Sequence, residues 1–268
     1  MRKSIFAPFA IPLIVLSMIL FSFSYIQPVA FGNKVENLAY QEGEILKYRI
    51  HYGLVNAGVV NMQVSQPMEI NKRKAYNLKI EGETLKSFDW AFKVRDKFES
   101  WVDAESLTPL RYSKTVREDD YFHQDIAIYN HDEQWLKNKK GQLAITKYTQ
   151  DLASAIYYLR TLDFSDKNKG TSYPIDVYMD NEIHHLQVKY VGKETINSDL
   201  GKIRCLKLKP ELVVDRVFKH KDAMTVWVTD DLNHIPVRIQ TDIRVGSLKV
   251  DLKQYENLKN PLTSLVKK

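Results

Sequence analysis

The chain has 268 residues, 44% hydrophobic and 11% aromatic, enough to bury a substantial core and too apolar for a disordered chain. Its net charge is only +6, and its 39 Lys and Arg interleave with 33 Asp and Glu, which argues against nucleic-acid binding. The single cysteine, Cys205, excludes an intramolecular disulfide and any Cys-paired zinc pattern, and reads as a small buried strand residue.

The amino terminus differs from the rest. "MRK" is basic, and residues 5–23 are apolar apart from Ser17 and Ser22, the anatomy of an export signal. Ser22 and Ser24 place small residues before a cut at Tyr25; a cut after Ala30 is poorer because of Pro28. The alternative is an uncleaved anchor, since about 20 apolar residues can span a bilayer. Either reading puts the body outside the cytoplasm. The expected organisation is a signal or anchor over 1–24, a lead-in over 25–42, one β-rich domain over 43–256 and a frayed tail over 257–268.

From residue 43 the hydrophobic period is two. Leu46, Tyr48, Ile50 and Tyr52 alternate with Lys47, Arg49 and His51, and after Gly53 and Gly58 the apolar set resumes at Val60, Met62 and Val64. A phosphate cradle would open onto a helix; here both flanks are strand patterns, so the glycines are expected to bend a hairpin. Tyr76, Leu78 and Ile80 mark the next strand. Trp90, Phe92, Val94 and Phe98 then share a face, followed by Leu110, Tyr112 and Val116 and by "FHQDIAIY". This is half-buried antiparallel sheet.

"TQDLASAIYYLRTLDF" breaks the pattern. Leu152, Ile156, Leu159 and Leu162 fall at helical spacing, with Thr149 or Asp151 as the cap, predicting a helix over about 150–163. Strands return at Tyr173–Met179, Leu186–Tyr190, "KIRCLKLKP", Met224–Val228, Val237–Val245 and Leu248–Leu252. The expected fold is mainly β: one large curved antiparallel sheet or incomplete β-barrel with one inserted helix.

Chemistry is sparse. His184 and His185 are adjacent and point to opposite faces of a strand, and the other histidines are scattered, so no metal site or cofactor is expected. No GxSxG elbow occurs, and no catalytic residue is proposed. The best anomaly is Asp96, which falls on an inward strand position where a carboxylate is costly unless paired; a bulge at Arg95–Asp96 would turn it outward instead. Arg160, on the helix, is its candidate partner.

Four segments, "GEILKYRIHYGLVNAGVV", "VRDKFESWVDAESLTPLR", "QDLASAIYYLRTLDF" and "VWVTDDLNHIPVRIQTDIRVGSLKVDL", together resemble the bacterial exported domain of unknown function 3108, from about Gly43 to Tyr255. The resemblance implies a protein of the Gram-negative periplasm or cell envelope, or one anchored in the inner membrane with its body outside the cytoplasm. By looser analogy it looks like a half-barrel lipoprotein carrier clasping a helix. It implies no reaction. Three function classes stand: a binding or carrier module for an apolar or envelope-derived ligand, with Tyr48, Tyr52, Trp90, Phe92, Asp96 and Arg160 as binding residues; a structural or assembly factor of the envelope; and a hydrolase with a dispersed site. The expected partners are a lipid, a glycan or an envelope protein, with membrane contact through the amino terminus if it is uncleaved.

Overall fold

A computed structural model describes residues 36–165, 168–210, 223–243 and 246–266. The amino-terminal signal or anchor, and the lead-in up to residue 35, lie outside the described residues. The alternating segments form sixteen strands: β1 (Ile45–Tyr52), β2 (Val55–Val64), β3 (Met68–Ile70), β4 (Arg73–Thr84), β5 (Arg95–Asp103), β6 (Pro109–Glu118), β7 (Tyr121–Asn130), β8 (Trp135–Asn138), β9 (Gly141–Ala144), β10 (Gln150–Asp151), β11 (Ser172–Met179), β12 (Glu182–Ser198), β13 (Gly201–Pro210), β14 (Met224–Thr229), β15 (Pro236–Asp242) and β16 (Ser247–Glu256).

These make one sheet. Most neighbours are consecutive hairpins, and β16 returns to pair with β1 along its whole length. Among the described residues, the only parallel pair is β10 with β11. The path starts at β10 and ends at β9, so the sheet stays open. Its right-handed twist curls the flanks towards each other, and side chains clasp the gap. Asn138 on β8 donates to the Tyr178 hydroxyl of β11 (2.6 Å) and to Asn181 Oδ1 (2.7 Å), and Lys114 on β6 reaches Asp180 (2.5 Å). The result is an incomplete barrel.

Two expectations about strand ends change. Gly53 does bend the β1–β2 hairpin, at φ +55°, a region open to glycine. Gly58 does not; it lies inside β2, where a Cβ would come within 2.6 Å of the Glu83 carbonyl oxygen on β4. Likewise β5 starts at Arg95 rather than near Trp90. The Asp89 carboxylate accepts bonds from Thr84 (2.9 Å) and Arg95 (2.7 Å), and Lys86–Phe88 form a 3-10 turn, so Trp90 and Phe92 belong to a loop.

The helix, α1 (Leu152–Leu159), is shorter than the spacing suggests. Gln150 and Asp151 are taken by β10, and beyond Leu159 the bonds tighten to i→i+3 at Arg160, Thr161 and Leu162. Asp151 is the cap: its side chain accepts from the Ser154 amide, and its own amide donates to the Ser154 hydroxyl. α1 lies on the concave face of the sheet and has no broad solvent side. Ala153 and Tyr157 are its deepest residues, while Ile156 and Leu159 of the expected stripe are only half-buried. Leu152, Ala153 and Tyr157 pack with Leu46, Tyr48, Met62 and Phe98 in the largest apolar cluster; Ala155 and Tyr158 pack with β11–β14. Residues 257–266 are tied down: Leu265 bridges Ile203, Asn260 bonds Asn233, and Ser264 is buried.

Candidate functional site

Inward positions of β6 and β7 meet the β11–β12 turn around a cavity of about 450 Å³. The period of two places Lys114, Val116 and Glu118 on the inner side of β6, and Tyr121, His123 and Asp125 on that of β7. Lys139 and Lys140, in the β8–β9 turn, and Asp180 and Asn181, in the β11–β12 turn, complete the lining. The volume falls within the range of small-ligand pockets.

Its floor is polar and ordered. Lys114 is buried and bound to Asp180, and the Tyr178 hydroxyl donates to Asp125 at 2.6 Å. Behind them lies Asp151, whose Oδ2 accepts from the Ser100 hydroxyl at 2.5 Å. Burial pushes the Asp151 carboxyl up to about 7, against the bonds from Ser100 and Ser154. His123 stands nearer the mouth, stacked on the Tyr121 ring with centroids 6.3 Å apart.

Asp96 sits on β5, buried, with Oδ1 accepting the Arg117 amide at 3.0 Å. It stays in the strand ladder opposite Gly82 and faces inward. Burial pushes it up to about 6, against the Arg117 bond and the Lys114 charge. Glu118, in the cavity wall, is pushed up to about 7 by burial and then by Asp96. Both carboxyls thus lie above the ordinary carboxylate range. Among the described residues, no group of three His, Cys, Asp or Glu side chains could hold a metal ion.

The six residues singled out from sequence do not form one surface. Tyr48 is core beneath α1. Tyr52 and Phe92, both half-buried, pack with Ile50, Val94 and Leu248 in a separate small cluster. Trp90 is 83% exposed, because its loop has left the ladder. Arg160 does not pair with Asp96. It is 2% exposed and bound in bidentate fashion to Glu44 at 2.6 and 2.8 Å, with further bonds to the Asn233 and Ala39 carbonyls. None of the six lines the cavity, though the Asp96 charge reaches Glu118 in its wall. Glu44, Lys114 and Asp125 were missed, although each interrupts an inward apolar series as Asp96 does.

A family model described as Protein of unknown function (DUF3108) matches residues 47–253. No curated protein matches the chain. Among solved structures, a beta-barrel-like protein of domain of unknown function DUF1849 from Brucella abortus is 11% identical, with a TM-score of 0.54 over 81% of this chain and 99% of its own. That likeness is one of fold. A putative exported protein from Bacteroides fragilis is 12% identical, with a TM-score of 0.37 over 82% of this chain and 98% of its own. A putative lipoprotein from Parabacteroides distasonis is 11% identical, with a TM-score of 0.37 over 81% and 97%.

Proposed function

The chain belongs to the DUF3108 family of proteins of unknown function, and within it we propose an exported envelope protein that binds or carries an envelope-derived ligand. The observation that supports this reading is the cavity, whose lining combines the apolar and aromatic side chains Val116 and Tyr121 with the polar and charged groups Lys114, Glu118, His123 and Asp125. Of the apolar and envelope-derived ligands expected from sequence, that lining suits the second, an amphipathic lipid or a glycan. The basic and apolar start of the chain supports export, and among the described residues no helix is long and apolar enough to cross a membrane.

Native mass spectrometry of protein purified from its own envelope, followed by solvent extraction, tests the reading. A bound mass is expected, reduced by Tyr121→Ala and His123→Ala with the fold retained; protein that is uniformly empty refutes it. Amino-terminal sequencing of the same material separates a cleaved signal from an anchor.

A second reading, a structural or assembly factor of the envelope, draws on α1, which fills the centre of the concave face where a larger ligand would lie. Under that reading the protein is empty and co-purifies with an envelope partner.

A further inference from the structure

Among the described residues, the most exposed large apolar side chains are Leu54, at 101%, and Trp90, at 83%. Both sit at loop tips on one end of the sheet. The β1–β2 turn, the β4–β5 loop and the β6–β7 turn follow one another along that end, because Tyr52 pairs with Val55, Gly58 with Thr84, Glu83 with Arg95 and Glu118 with Tyr121. Tyr121, also exposed, stands on the third of these. With strands about 4.8 Å apart, the three tips span a row of roughly 20 Å. The cavity lies at the same end, beside Glu118 and Tyr121.

The tips are held, not loose. His51 ties the first turn to the sheet, with Nδ1 2.9 Å from the Gly53 carbonyl and Nε2 2.9 Å from Asp251. Asp89, next to Trp90, is fixed by Thr84 and Arg95, and Phe92 packs beneath against Ile50, Val94 and Leu248. Presenting a tryptophan and a leucine to water on braced loops leaves apolar surface uncovered, and braced loops lose little entropy when that surface is covered.

Charge indicates what covers it. Lys86 and Lys93 flank Trp90 in its loop, and Lys139 and Lys140 form the tip of the β8–β9 turn; all four are exposed. Among the acids around them, Asp89 and Glu83 are paired with Arg95, and Asp180 with Lys114. Asp119, which accepts the Lys93 amide, Asp120 and Glu182 remain exposed, and Glu118 is half-buried in the cavity wall. A row of apolar tips with lysines behind them fits a bilayer surface, where an indole lies at head-group level and ammonium groups meet anionic lipid.

We propose that this end of the sheet is a membrane-docking rim, with Leu54, Trp90 and Tyr121 as its apolar tips and Lys86, Lys93, Lys139 and Lys140 as its contacts to anionic head groups. The rim is built from residues between 54 and 140, apart in sequence from the amino-terminal segment, and does not depend on the cavity holding a ligand.

Site-specific labelling of the full chain tests it. Cys205 is buried, so an environment-sensitive thiol dye reports on one introduced cysteine. Leu54→Cys places it on the rim. Leu232→Cys places it in the β14–β15 turn at the opposite end, where the native leucine is 57% exposed. Both chains share one amino terminus, so an anchor there cannot create a difference between them. With vesicles of phosphatidylglycerol and phosphatidylcholine, the dye at residue 54 should shift to the blue while the dye at residue 232 stays in water. Adding Trp90→Ser should raise the lipid needed for half the response about tenfold, the ratio that ~1.4 kcal/mol of lost burial gives. Adding Lys86→Glu with Lys140→Glu should abolish the preference over pure phosphatidylcholine. No response at residue 54, an equal response at residue 232, or a shift that grows with protein concentration in the absence of lipid would each overturn the proposal, the last by making a second copy the occupant.

Discussion

Asp151 offers the sharpest test of how the interior is built. Its carboxyl is fully buried, caps α1 through the Ser154 amide and takes the Ser100 hydroxyl, with no cation bonded to it among the described residues. Burial holds it at about 7 against an ordinary 3.8. Below pH 4 the folded and unfolded chains both carry the proton. Between about pH 4 and pH 7 the unfolded carboxyl ionises while the folded one keeps its proton, so stability falls as pH rises and levels off above 7. A gap of about 3 pH units, at about 1.4 kcal/mol each, makes the loss at most about 4 kcal/mol.

Asp151→Asn keeps an oxygen for the Ser154 amide and presents an NH₂ group to the Ser100 oxygen, but cannot ionise. It should match the wild type near pH 4 and exceed it near pH 8, by an amount approaching that 4 kcal/mol. Asp151→Ala loses the cap and strands two donors, and should be weaker than Asn at every pH by about 1–3 kcal/mol. Urea unfolding followed by tryptophan emission at pH 4, 6 and 8, at constant salt, measures both. Asp96 and Glu118 add a slope of the same sign, but it is common to all three proteins and drops out of the differences. A gap between Asn and wild type that does not change with pH would refute the assignment of a neutral buried acid.

Two further substitutions probe the core and the loop. Glu44→Ala should cost about 3–5 kcal/mol by leaving the Arg160 guanidinium buried without its partner, and Arg160→Lys should not restore stability, because an ammonium cannot replace the two parallel bonds; unfolding midpoints equal to wild type would remove the pair from the core. Trp90→Ala should change the unfolding free energy by less than about 0.5 kcal/mol, as for an exposed site; a loss of several kcal/mol would return Trp90 to the core.

The sheet was legible because each strand shows one face to the core and one to water, which writes a period of two into the sequence. The ladder from β1 to β7 and the hairpins from β11 to β16 follow that period closely. Trp90 escaped because alternation cannot tell a strand residue from a loop residue in the same phase, and the bonds that bend the loop out come from Asp89 and Arg95, ordinary surface types. The helix misled for a related reason. A stripe of leucines marks the inner face only when the opposite face meets water, and α1 is enclosed; its deepest side chains are therefore an alanine and a tyrosine. Arg160 could not be matched to Glu44, 116 residues away, because an ion pair leaves no periodic trace.

The rule that singled out Asp96 carries further than its first use. A polar residue in phase with an inward apolar series must be buried, and must then find a partner or change its protonation. Glu44 precedes Leu46 and Tyr48 in phase; Lys114 interrupts Tyr112 and Val116; Asp125 precedes Ala127 and Tyr129. All three are buried. What separates structure from site is where the partner stands. Glu44 is matched by Arg160 deep under the sheet, and the pair locks the lead-in and α1 to the core. Asp96 is bonded by a backbone amide, and Glu118 rises with it, so neither is neutralised within the chain as Glu44 is. A partner deep under the sheet makes a brace; Lys114 is paired at the cavity itself, with Asp180, and Glu118 and Asp125 line that cavity beside it, where an incoming group could complete them.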